Sequence, residues 1–198
     1  MDRSSQKEIV HLVASLIVLT VAFAYPAIDS RTLAIVAFSV GMGFLLHELA
    51  HKFTAQKYGY VADYEASAIG LMLALFLSIF AGFFFAVPGA VMIRGKKVPY
   101  TTDQYWDSQQ NAKEFAYISV SGAVVNLILA LTFFIASFFV LQSGTEYAIF
   151  TTGARINVFL AGFNMIPFGP LDGAKVWRYD PMLWGMIGIP SIILFFII

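Results

Sequence analysis

The sequence predicts an all-α polytopic membrane protein of about five spanning helices, with one further segment that dips into the bilayer as a helix and β-strand and returns. Composition is the first sign. Of the 198 residues, 59% are hydrophobic and only 12% charged, and the mean hydropathy is +0.77, whereas a soluble domain carries about 25% charged residues. The second is distribution, because the apolar residues gather into runs of spanning length at 9–24, 32–58, 116–141, 148–166 and 181–198. The third is that histidine, glutamate and asparagine interrupt those runs at membrane depth, where each unpartnered polar group costs several kcal/mol. The formal net charge of zero offers no basic surface for nucleic acid. With no cysteine there is neither a disulfide framework nor a thiolate metal site.

The first run, 9–24, follows Arg3 and Lys7 as a signal peptide would, and Ala22-Phe-Ala24 resembles a small-residue cleavage site. Tyr25-Pro26 is a poor place to cut before, so a retained first spanning helix is expected, with His11 an interfacial side chain at its charged end. After a short turn, 32–58 makes a helix about 40 Å long at 1.5 Å per residue, enough to cross a core of about 30 Å. Gly41 and Gly43 within it suit close helix packing. Residues 60–66 alternate crudely between polar and apolar, which predicts a short strand.

Residues 68–93 are apolar throughout, yet 84–93 is aromatic and β-branched around Pro88-Gly89 and favours a strand or turn over a helix interior. The segment 66–94 is therefore read as re-entrant. Residues 94–112 are polar, with Tyr100, Tyr105 and Trp106 suited to the membrane interface. Residues 116–141 form an uninterrupted helix, 148–166 a second that Pro167 and Pro170 stop, and 181–198 a last apolar run.

Basic residues decide whether 68–93 crosses. A full crossing splits them four against seven, with Arg155 inside its helix. A dip leaves only Arg31 and Arg155 of the 12 away from one common face, which makes that face cytoplasmic. The N-terminus is then expected inside the cell membrane.

The chemistry lies in His47-Glu-Leu-Ala-His51. Histidines four apart share one helix face, so two imidazoles reach one zinc ion, and Glu48 flanks that face, where it takes a proton from the attacking water. The same pattern arises in soluble helices as a surface histidine pair, but in hydrocarbon that arrangement is costly. Only His11, His47 and His51 are present, so the third ligand is expected to be a carboxylate.

Asn164-x-x-Pro167-x-x-Pro170-Leu-Asp172-Gly173 follows the histidine motif by one re-entrant segment and one helix. The two motifs together, in this order, resemble the site-2 protease family of intramembrane zinc metalloproteases, and the likeness covers most of the chain as one domain, 1–198, a membrane core without a PDZ or CBS domain. The resemblance implies one zinc per chain on His47, His51 and Asp172, Glu48 as general base, and Asn164 contacting the substrate backbone or the developing oxyanion. It implies regulated cleavage of single-span membrane-protein substrates within the lipid bilayer, and an active site toward the cytoplasm. Gly122-x-x-x-Asn126 resembles another element of that family, but the usual proline after the glycine is Ala123, and Asn126 is read as structural. If Asp172 and the histidines share an ion, their two helices must run the same way, which the dip at 66–94 permits and a full crossing does not. Two other readings are a metal transporter, which needs no non-ligand glutamate beside the first histidine, and a prenyl-protein-type zinc peptidase, whose third ligand comes from a different motif. No feature of the sequence fixes an oligomeric state.

Overall fold

The computed structural model describes residues 3–82, 87–96 and 108–197. The interfacial aromatics Tyr100, Tyr105 and Trp106, and the part of the expected strand at 84–86, lie outside the described residues. Helix α1 (Arg3–Ala24) leads into a turn where Asp29 caps the next helix, accepting from the Arg31 and Thr32 amides and the Thr32 hydroxyl. The Thr32 hydroxyl bond holds the Asp29 carboxyl below its ordinary value. Helix α2 (Ser30–Val40) passes through one π-helical turn (Gly41–Leu45) into α3 (Leu46–Lys57), making a continuous rod from Ser30 to Lys57. Gly59, at φ 84°, turns the chain into β1 (Tyr60–Ala66). Ser67 caps α4 (Ala68–Ala81), and β2 (Gly89–Lys96) then runs antiparallel along β1.

The pairing register shows where this segment goes. Tyr60 lies opposite Lys96 and Ala66 opposite Gly89, so the chain comes back to the end of α3 where it left. Helix α4, at 14 residues, spans only about 21 Å. Helix α5 (Ser108–Ser137) starts at that same end, where the Tyr60 hydroxyl donates to Glu114 at 2.8 Å. Burial and the Glu114 carboxylate push the Tyr60 phenol above its ordinary value, so it remains the donor. Glu8 of α1 accepts from Lys52 at 2.7 Å and from the Tyr64 amide at 3.1 Å, tying the start of α1 to α3 and β1. Arg31 and Thr145 meet at the opposite end, so the α2–α3 rod and α6 (Thr145–Asn164) start together and run in parallel. Short α7 (Asp172–Tyr179) and α8 (Pro181–Ile197) complete the chain.

Among the described residues, three helices are long and apolar enough to cross a membrane: Ser5–Ala24, Ser30–Lys57 and Ala112–Ser137. Helix α6 has the length but carries Arg155 and Asn157. Asn157 is accommodated because α2, α5 and α8 pack around the helix, where every residue from 156 to 163 except Phe159 is buried, whereas Arg155 is exposed. The interior is built largely from small side chains, among them Ala55, Ala74, Ala123, Ala161, Ser15 and Ser39, as expected where helices associate by close contact rather than by escape from water. Large apolar side chains such as Ile69, Phe80, Ile128, Phe139 and Phe196 point outward.

Candidate metal centre

His47 and His51 are fixed by α3, four residues apart on its buried face, with ring centroids 4.6 Å apart and planes near perpendicular. The third group arrives from α7. Helix α6 ends at Asn164, and the following Pro167 and Pro170 forbid its continuation. Leu171 is extended (φ −67°, ψ 154°), and Asp172 is the first residue of α7. There, at the opening of a helix, an acidic side chain is favoured by the free amides of the first turn. A side chain on Gly173 would run into the Met165 backbone, which is why α7 can sit tight against the end of α6.

The Asp172 Oδ2 atom lies 3.0 Å from His51 Nε2 and 3.4 Å from His47 Nε2, and the two Nε2 atoms are 3.0 Å apart. Tetrahedral zinc with bonds of about 2.0–2.1 Å separates its ligand atoms by about 3.3 Å, so this triangle has nearly the size that such an ion requires. Each group is also held from behind. His47 Nδ1 meets Asn126 Oδ1 at 2.6 Å, His51 Nδ1 meets the Ile118 carbonyl at 2.7 Å, and Lys175 donates to Asp172 Oδ1 at 2.9 Å. A carbonyl only accepts, so His51 carries its hydrogen on Nδ1 and turns a bare Nε2 inward. Electron pairs converging on one point repel unless a cation lies among them. Glu48 is not part of the triangle. It is buried, and its Oε2 has no hydrogen-bond partner among the described residues, an arrangement that calls for a donor in the adjoining space.

That space is a cavity of about 490 Å³. His47, Glu48, His51, Asn164, Asp172 and Lys175 line it, with β2 from Gly89 to Ile93 and apolar side chains such as Phe44, Phe115 and Leu160 forming other walls. All five residues expected at the site therefore face one volume. Asn164 donates one amide hydrogen to Leu160 of its own helix, at 3.0 Å, and the other has no partner among the described residues. Two residues have roles the sequence did not reveal. Asn126, read as structural, bonds a histidine of the triangle directly. Gly122 leaves room for the histidines, since a Cβ there would stand 2.6 Å from both His47 Cε1 and His51 Nε2. Their four-residue spacing on α5 is the one signal that could have linked them.

No protein-family model and no solved structure matches the chain. Among known proteins, it is 36% identical over 190 residues to MJ0611 of Methanocaldococcus jannaschii, a protein assigned by name as a zinc metalloprotease, over 96% of this chain and 93% of that one. It is 30% identical over 154 residues to YwhC of Bacillus subtilis, assigned in the same way, covering 68% of this chain and 64% of YwhC. A third relative, the zinc metalloprotease MJ0392 of Methanocaldococcus jannaschii, is 27% identical over 134 residues, 68% of this chain and 30% of its own. The first of these likenesses runs nearly end to end in both proteins, and on it the chain belongs to the family of these zinc metalloproteases.

Proposed function

We propose that this protein is an intramembrane zinc metalloprotease of the site-2 protease type, hydrolysing peptide bonds in or beside the transmembrane segments of single-span membrane proteins. The observation that carries the reading is the buried triangle of His47, His51 and Asp172 beside an unpartnered Glu48 oxygen, opening on a cavity among helices of membrane-spanning length. One zinc, held by those three side chains, supplies a Lewis acid that acidifies water and polarises the scissile carbonyl. Glu48 takes the proton of the attacking water and passes it to the leaving amine. The free amide hydrogen of Asn164 donates to the substrate backbone or to the oxygen that gains charge. A substrate helix hides its carbonyls in its own hydrogen bonds and must unwind first. Among the described residues β2 pairs only with β1, so its other edge, on the cavity, offers an extended substrate backbone partners. In this reading α1, the α2–α3 rod, α5, α6 and α8 cross the cell membrane, 66–94 re-enters it, and the N-terminus and the site face the cytoplasm, which the one-sided distribution of basic residues supports.

Purified protein should contain one zinc per chain and cut a model single-span substrate in detergent or vesicles. Glu48→Gln should abolish cleavage and retain zinc, Asp172→Ala should lose both, and Asn164→Ala should slow cleavage about 10²–10³-fold, the cost of one oxyanion donor. Turnover in Glu48→Gln close to that of the native protein would remove the general base, and zinc flux across vesicles without cleavage would favour a transporter.

A further inference from the structure

The His47–Asn126 bond does not end at Asn126. The Asn126 amide nitrogen donates to the Gly43 carbonyl at 3.1 Å and to Asn157 Oδ1 at 2.8 Å, and the Asn157 amide nitrogen donates to the Gly153 carbonyl at 2.8 Å. Both asparagines are fully buried. The two terminal groups are backbone carbonyls, which accept and never donate, and this fixes the direction of every bond between them. Gly153 forces the Asn157 nitrogen toward itself and leaves Asn157 Oδ1 facing α5. Asn157 Oδ1 and Gly43 together claim both hydrogens of the Asn126 nitrogen. Asn126 can then offer His47 only its oxygen, so the hydrogen of the neutral imidazole must sit on Nδ1 and the electron pair on Nε2, the atom facing His51 and Asp172. We propose that Asn157 and Asn126 are positioning residues that lock His47 in the one tautomer able to bind the metal, so that metal affinity is set from α6 across α5. Asn157 belongs to neither sequence motif and lines no part of the cavity. Gly43 shares in the arrangement, because a Cβ there would stand 3.0 Å from Asn157 Oδ1.

The inference rests on His47 being a metal ligand, and its first test is independent of metal. In metal-free native protein, nitrogen NMR of the histidine rings at a pH where they are neutral should show His47 Nδ1 bearing hydrogen and Nε2 bare; the reverse tautomer overturns the proposal whatever the metal content. The second test is zinc affinity by chelator competition, with the visible spectrum of the cobalt-substituted protein as a geometric readout. Asn126→Leu, which keeps bulk but accepts nothing, should weaken zinc binding about 10–100-fold and alter the cobalt spectrum. Asn157→Ala should weaken binding less than Asn126→Leu and leave His47 in mixed tautomers, and it serves if Asn126→Leu does not fold. Unchanged affinity in Asn126→Leu, or in Asn157→Ala where it is the variant used, overturns the proposal. Absence of zinc from the native protein, with the Nδ1–H tautomer present, would instead overturn the assignment of His47 as a ligand.

Discussion

At the scale of single residues, the centre depends on an absence as much as on its donors. Gly122 presents bare backbone to both imidazoles, and a methyl group there would stand 2.6 Å from each ring. Gly122→Ala should therefore displace the histidines and weaken zinc binding about 10–100-fold, the range for disturbing the surroundings of a metal site, while circular dichroism still reports a helical fold. Chelator competition checks it, and native affinity in that variant would mean that α5 simply moves away. The relation of His47, Glu48 and His51 was legible from sequence because one turn of one helix sets it, and Asp172 entered through the family resemblance of its Asn-x-x-Pro-x-x-Pro-Leu-Asp-Gly motif. Gly122, Asn126 and Asn157 were not. Their roles follow from which face of α5 meets α3 and α6, a matter of helix packing that a linear pattern does not encode.

At the scale of elements, the π-helical turn Gly41–Leu45 sits one turn before His47. Such a turn takes in one extra residue, so the α-helical stretches on either side keep their facing while the sequence between them is one longer. Removing Met42 should close the turn to ordinary helix and leave the histidines facing α5, with zinc content near native. Removing Ala37 from regular α2 should turn everything upstream about 100° against everything downstream and abolish zinc content. Equal zinc content in the two deletions would contradict this. The alternation of 60–66 gave β1 away, and the polar face of the α2–α3 rod was plain. The wide turn was invisible because any apolar sequence accommodates it, and α7 was hidden because eight residues between Pro170 and Pro181 carry too short a pattern to read.

At the scale of the molecule, the ion pairs and strand register gather the start of α1, the end of α3, the β1–β2 hairpin and the start of α5 at one end, and Arg31 with Thr145 at the other. A membrane laid across this arrangement should give one-sided chemistry. In a chain without native cysteine, single cysteines at Ser5 and Lys113 should label only from the cytoplasmic side, and one at Ser30 only from outside. Labelling of Ser5→Cys and Lys113→Cys from opposite faces would end the re-entrant reading. The helix count was legible from hydropathy for α1, the rod and α5, and less so for α6, whose neighbours supply the apolar surroundings that lipid would otherwise have to. The short α7 carries a further consequence. It joins the fold through a loop of prolines and glycines on one side and Asp180-Pro181 on the other, and Asp172 is its tie to residues more than a hundred positions earlier. An ion shared by α3 and α7 therefore acts as a cross-link, closing a long loop of chain as a disulfide would in a protein that has no cysteine to make one. In such a molecule, losing the metal should release α7 from α3 while leaving it packed on α5 and α8.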